Sequence, residues 1–332
     1  MFGPGAVGGY AGALLARAGH DVSFVGRGEH FAAMRANGVR IRRDADEFVA
    51  HPACPDSPEA AGPQDVVLIA TKAHAIGEVA ALIQPLLGAD TAVVTAQNGI
   101  PWWYFQRLGG AWDGRRLASV DPGGQALALI GVERAVGCVV TGAFAVESPG
   151  VIRAGALARY AIGEPAEGIS PRLASLSRAF TVEGLEAPAR ARFRDDIWSK
   201  LLGNASISMI CVLTGGTNGT TVNDPGTMRV VRAIMAETRA VSEAIGARFL
   251  TDAEDRLLAA LRTSTHRPSA LQDLERKRPM EVDAIIGAVC EIGRVVGVPT
   301  ACADMIYALV RLRAEVAGCY PANPGFALGT VI

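Results

Sequence analysis

The 332-residue chain has little to tie it to a polyanion, a membrane or a metal. Lys and Arg number 32 against 33 Asp and Glu, a formal net charge of −1. No basic excess therefore points to nucleic acid or to an anionic lipid surface. No uncharged apolar run reaches the roughly 18 residues of a membrane span. The longest, Leu201 to Leu213, is broken by Asn204, Ser206 and Ser208. No two of the six cysteines (Cys54, Cys138, Cys211, Cys290, Cys302, Cys319) stand as C-x-x-C, and the five histidines form no metal pair. That argues against a zinc ribbon, a thioredoxin motif and a metal site. The 38 glycines are not periodic, which excludes collagen and simple repeats. Half the residues are hydrophobic and 20% charged, which excludes a disordered chain. No signal peptide is evident, because the N-terminus opens directly on a glycine loop. The expectation is a soluble, cytoplasmic protein of about two domains, at roughly 150 residues each.

The first half alternates strand and helix. Gly3-Pro4-Gly5-Ala6-Val7-Gly8 fits G-x-G-x-x-G. Gly9 to Ala18 then reads as a helix and residues 21–25 as a buried strand. This is the context of a dinucleotide fingerprint: glycines allow a tight turn and close approach to a pyrophosphate, and the helix N-terminus offers free N–H groups. The strand before Gly3 is short, with only Met1 and Phe2. The second strand ends in Val25-Gly26-Arg27-Gly28. An arginine there suits a 2′-phosphate and favours NADP. The other reading leaves Arg27 solvated and gives the ribose to Glu29. Residues 65–70 and 91–96 read as further strands, with a helix over 76–87 between them. Lys72 and Asn98 lie beyond the carboxyl ends of these strands, where ligands bind in a parallel sheet. Asn98-Gly99 is also a common turn dipeptide. Residues 102–137 read as an inserted excursion whose aromatics serve packing. Residues 136–145 and 160–163 read as later strands, with a turn at 148–150.

After about Pro188 the strand signals fade. Helices are expected over 195–209, 228–246, 253–261, from Glu281 to about Val296, and over 302–316. Lys200, Asn204 and Ser208 fall at i, i+4 and i+8, on one face of a helix. They read either as a solvated stripe or as a cationic acid beside an amide that orients a carbonyl substrate. The fold class is an α/β Rossmann-like dinucleotide-binding domain with a mostly parallel sheet (residues 1–188) and an all-α domain (189–332). A substrate cleft is expected between them. Apolar positions in the C-terminal helices would suit a homodimer.

In their order, the glycine loop, Thr71-Lys72, Gln97-Asn98-Gly99, Ile197-Trp198-Ser199-Lys200-Leu201, Asn204, Ser269-Ala270-Leu271-Gln272-Asp273 and Arg278-Pro279-Met280-Glu281-Val282-Asp283 resemble the ketopantoate reductases. The resemblance spans nearly the whole chain. It implies NADPH-dependent reduction of the C2 ketone of 2-dehydropantoate to D-pantoate, a step toward coenzyme A. It implies Lys200 as the proton donor and Glu281 as the partner of the substrate hydroxyl and of the proton relay. It further implies Asn98, Asn204 and Ser269 as substrate ligands. Gly3, Pro4, Gly5, Ala6, Val7, Gly8, Arg27, Lys72 and Asn98 would hold the cofactor.

The chain departs from the family pattern at three places. Ser208-Met209 stands where Asn-Pro is frequent, His266 where an Asn or a hydroxyl residue is frequent, and Pro268-Ser269 where Ser-Ser or Thr-Ser is usual. Two other readings stay open. One is a related NADP-dependent dehydrogenase of another small 2-oxo or 2-hydroxy acid. The other is a non-catalytic NADP-binding sensor.

Overall fold

The computed structural model describes residues 1–43, 46–155, 158–249 and 252–321. Short as it is, the first strand sits in the middle of a sheet. Phe2 N donates to the Leu68 carbonyl at 2.8 Å and Ala70 N to the Phe2 carbonyl at 3.0 Å. On the other side Val25 N donates to Met1 and Gly3 N to Val25, at 2.8 and 2.9 Å. Two residues suffice because neighbours on both sides satisfy their backbone groups.

From there the sheet runs outward through Gln64–Ile69, Leu87–Thr95 and Ala135–Thr141, all parallel. Ala158–Gly163 follows antiparallel, and Leu185–Glu186 pairs parallel with it. The expected α/β architecture is present. The 76–87 helix is shorter than expected. It is Ile76–Leu82, with a 3-10 turn at Gln84–Leu86 where Pro85 has no N–H to continue the ladder.

A second sheet was not anticipated. Its strands run in the order Asp46–Ala50, Val39–Arg43, Val151–Ala154, Phe144–Ser148. Residues 136–145, expected as one strand, therefore split into Ala135–Thr141 in the first sheet and the start of Phe144–Ser148 in the second. The helix Ala6–Arg17 packs between the sheets. Tyr10 and Leu14 share a core with Phe24, Leu68 and Val94 on one side and Val39, Ile41 and Ile152 on the other. A Cβ on Gly12 would come within 2.2 Å of the Phe24 ring, so this helix must be small-sided to fit.

The chain beyond the sheets is helical: Phe193–Ala205, Ile207–Thr214, Pro225–Ala244, Ala253–Leu261, Ser269–Glu275, Ala288–Val296 and Ala301–Val316 are its main helices. The helix expected over 195–209 breaks at Ser206, whose hydroxyl donates to the Leu202 carbonyl four residues back. Such back-bonding bends helices. Ser208 thereby leaves the helix that carries Lys200 and Asn204. The stretch 193–214 is long and apolar enough to cross a membrane by composition, but 61% of an 18-residue window within it is buried inside the fold. The helix expected from Glu281 is present and starts one residue on, at Val282; it opens with a π-helical turn, Asp283–Gly287, that leads into Ala288–Val296.

The 102–137 excursion fastens the helices to the sheet. Trp102, Trp103, Tyr104 and Phe105 are all buried with Phe193, Ile197 and Trp198 in one core, so the aromatics do serve packing. Buried Arg194 donates to the carbonyls of Tyr104, Gln106 and Pro165 at 2.7–3.1 Å. Trp198 Nε1 donates to the Tyr104 hydroxyl at 2.6 Å. The Glu291 carboxylate accepts from the Ala118 and Ser119 N–H groups.

Candidate active site

Four separated parts of the chain converge at the carboxyl ends of the parallel strands. Gln64–Ile69 runs into Thr71-Lys72, and Leu87–Thr95 into Gln97-Asn98-Gly99. Lys200 comes from the Phe193–Ala205 helix, and Glu281 from just before the π turn. Three hydrogen bonds help hold the Asn98 loop in place. Gln97 Nε2 donates to the carbonyls of Thr71 and Lys72, at 3.2 and 3.3 Å. Ile100 N donates to the Ala284 carbonyl at 2.8 Å. Gly99 has φ +88°, and a Cβ there would lie 2.0 Å from the same Ala284 oxygen. Only glycine fits between loop and helix.

The side chains form a continuous network. Lys200 Nζ donates to Asn98 Oδ1 at 2.8 Å, and Asn98 Nδ2 donates to Glu281 Oε2 at 3.0 Å. The other carboxylate oxygen of Glu281 accepts from Ala73 N at 2.9 Å. Lys72 Nζ lies 3.5 Å from Glu281 Oε2 and is ion-paired with Asp273. These contacts fix the Asn98 amide, with its oxygen toward the ammonium and its nitrogen toward the carboxylate.

The two lysines are tuned in opposite directions. Burial pushes the Lys200 ammonium below the usual lysine range, and the Glu281 charge restores part of the loss. Burial acts on Lys72 as well, but Glu281 and Asp273 outweigh it and hold Lys72 above that range. Glu281 is 7% exposed. Burial would raise its carboxyl, but the Lys72 charge, the Asn98 amide and the Ala73 N–H prevail and keep it below the ordinary carboxylate range. An easily deprotonated ammonium thus stands beside a firmly ionised carboxylate, an arrangement suited to proton transfer.

Next to this network lies a cleft of about 640 Å³, lined by Gly3, Pro4, Gly5, Arg27, Thr71 and Lys72 among others. A Cβ on Gly3 (φ +77°) would lie 2.6 Å from Thr71 Cγ2, whereas one on Gly5 would meet nothing within 4 Å. Gly5 caps the Ala6–Arg17 helix with no side-chain hydrogen bond, and the first turn carries no acid. Open backbone and an uncapped helix N-terminus fit a dinucleotide pyrophosphate. Ala6, Val7 and Gly8 form that first turn without lining the cleft, and Gly8 is buried against Ala70. Arg27, exposed at the N-cap of the Gly28–Asn37 helix, supplies a cation.

Not every anticipated residue joins the network. Asn204 lies one turn beyond Lys200, and Ser269 is exposed at the start of the helix that carries Asp273. Among the described residues no hydrogen bond links either side chain to Lys200, Asn98 or Glu281. Ser208 stands on the following helix and His266 is exposed. Asn98 does not line the large cleft but a small hollow with Cys138 and Ile197. Gln97 and Asp273 stand in the sequence only as parts of the family motifs. Their pairing partners lie far off in sequence, so nothing local marked their roles.

Residues 1–109 match the family model described as Ketopantoate reductase PanE/ApbA, and residues 192–314 match Ketopantoate reductase PanE/ApbA C terminal. A 2-dehydropantoate 2-reductase of Mesorhizobium japonicum is 45% identical over 96% of this chain and 98% of that protein. The chain belongs to the ketopantoate reductase family. Like its relatives, this family member is an oxidoreductase acting on a ketone or CH–OH group. A crystal structure from Ralstonia solanacearum MolK2, assigned as a ketopantoate reductase, superposes with a TM-score of 0.90 at 41% identity, covering 96% of this chain and 98% of that one. A 2-dehydropantoate 2-reductase from Geobacter metallireducens GS-15 superposes with a TM-score of 0.81 at 27% identity, covering 94% and 98%. The fold is also that of a D-mandelate dehydrogenase, with a TM-score of 0.79 at 20% identity and coverage of 96% and 99%.

Proposed function

We propose that this chain reduces the C2 ketone of 2-dehydropantoate to D-pantoate, with NADPH as reductant. The observation that carries the reading is the Lys200–Asn98–Glu281 network, at 2.8 and 3.0 Å, beside the dinucleotide cleft. NADPH, when bound, supplies the hydride. Gly3, Pro4, Gly5 and the first turn of the Ala6–Arg17 helix would hold its pyrophosphate, and Arg27 its 2′-phosphate.

The protein's own part is orientation, charge and a proton. Negative charge builds on the ketone oxygen as it is reduced, and the Lys200 ammonium stabilises that charge and delivers the proton. Asn98 aims the ammonium while its other end holds Glu281. The Glu281 carboxylate accepts the substrate's hydroxyl and steadies the protonated Lys200. Asn204, on the same helix face as Lys200, binds the substrate, and Ser269 its carboxylate. Lys72, kept charged by Asp273 and Glu281, lies toward the nicotinamide end and orders the floor of the site. Residues 1–188 act as the nucleotide-binding half and 189–332 as the substrate half.

The six cysteines are all free, which suits a reducing compartment such as the cytoplasm. Met305, Leu309, Leu312 and Val316 form an exposed apolar stripe on the last helix and support a homodimer.

The test is NADPH oxidation with 2-dehydropantoate beside a panel of other 2-oxo acids, with Lys200→Ala as control. Selective turnover of 2-dehydropantoate, lost in the variant, is expected. Turnover of a different oxo acid would keep the mechanism and move the substrate. Cofactor binding without any turnover would favour a sensor.

A further inference from the structure

Arg278 lines the dinucleotide cleft together with the glycine loop but belongs to the helical half. Among the described residues its guanidinium makes no hydrogen bond, ion pair or ring contact, although its charge acts on the nearby Asp273 carboxyl. Its backbone is firmly held. Arg278 N donates to the Asp273 carbonyl at 2.8 Å, and Met280 N donates to the Cys319 carbonyl at 2.8 Å. Lys277, just before it, has φ +52°, a left-handed conformation in a non-glycine residue. Strain of this kind persists only where the surroundings impose it, and it gathers at ligand sites.

Both ends of the segment 273–281 are pinned to the nucleotide half. Asp273 is ion-paired with Lys72, and Glu281 accepts from Ala73 N at 2.9 Å. Arg278 lies between these anchors. The charge inventory of the cleft makes its position informative. Lys72 is neutralised by two carboxylates, Asp273 and Glu281. Arg27 lines the cleft from the N-cap of the Gly28–Asn37 helix, and Asp56, which also lines it, is ion-paired with Arg35. A bound dinucleotide would thus bring its phosphates into a cleft whose lysine is already spent on acids.

We propose that Arg278 binds a phosphate of the dinucleotide cofactor, so that both halves of the chain hold the same ligand. This rests on the reading that the cleft takes NADPH. A guanidinium matches a phosphate bidentately, and a charge-assisted contact of this kind is worth at least about tenfold in affinity.

The experiment measures dissociation constants of NADPH and NADH by nucleotide fluorescence, on the full chain, for the wild type, Arg278→Gln and Arg278→Lys. The Gln variant is expected to bind at least about tenfold more weakly, with partial recovery in the Lys variant. Its melting temperature should move little, because the side chain is exposed and makes no hydrogen bond or ion pair among the described residues. Equal weakening for both nucleotides assigns Arg278 to the bridging diphosphate; weakening confined to NADPH assigns it to the 2′-phosphate. Unchanged constants for both, in a protein whose wild type binds NADPH, would overturn the proposal and leave the proposed function standing. A wild type that binds neither nucleotide would overturn that function and this proposal with it.

Discussion

Lys200 Nζ and Asn98 Oδ1 lie 2.8 Å apart although 102 residues separate them in the chain. The contact joins a helix of the second half to a strand end of the first, and it aims the ammonium that the proposed reaction requires. Replacing Lys200 by Ala should lower kcat by roughly 10²–10⁴-fold. Binding of NADPH should change little, since Lys200 does not line the large cleft. Single-turnover kinetics with titrated cofactor separate the two effects, and near-normal turnover would remove Lys200 from the chemistry.

The pH profile follows from the opposed tuning of the two lysines. A proton donor works only while it holds its proton, so the rate is present below the Lys200 pKa and is lost as pH rises through it. Burial lowers that pKa and the Glu281 charge raises it. Glu281→Gln deletes the raising influence. The alkaline limb of kcat/KM should therefore move to lower pH in this variant. A limb that stays in place would assign it to another group.

Arg27→Ala should erode the preference for NADPH over NADH. Loss of one charge-assisted phosphate contact corresponds to about tenfold or more in the ratio of dissociation constants. The ratio, rather than either constant alone, is the readout. An unchanged ratio would return Arg27 to the solvated surface.

Gly99→Ala tests the backbone that carries Asn98. The substitution meets a positive φ and an Ala284 carbonyl oxygen 2.0 Å from the new Cβ. It should cost at least about 2 kcal/mol, from strain and overpacking together. Urea unfolding reports the loss, and the Lys200–Asn98 contact should loosen with it. A variant as stable as the wild type would mean that the loop has room to shift.

The parts of this protein legible in its chain are those whose physics is local. The glycine loop announces itself because a tight turn before a helix needs those residues at that spacing. The helices of the second half follow from apolar periodicity; Ala253–Leu261 matches its expected span. Lys72 and Asn98 were visible as polar residues just beyond apolar strands. The second sheet was not, because its strands of four or five residues, such as Val39–Arg43, carry alternate arginines and gain their meaning only from Val151–Ala154 more than 100 residues away. Nor did the i, i+4, i+8 spacing of Lys200, Asn204 and Ser208 reveal that a buried serine hydroxyl would bend the helix between the last two. Glu281 resembled a helix start. It does stand at one, just before Val282, but only packing showed the π turn that follows and a carboxylate committed to Ala73, Asn98 and Lys72. Residue types and their spacing set the elements and the kinds of group available. Which ammonium is depressed and which is held up was decided by tertiary structure, since burial and the distance to a carboxylate exist only once the chain has folded.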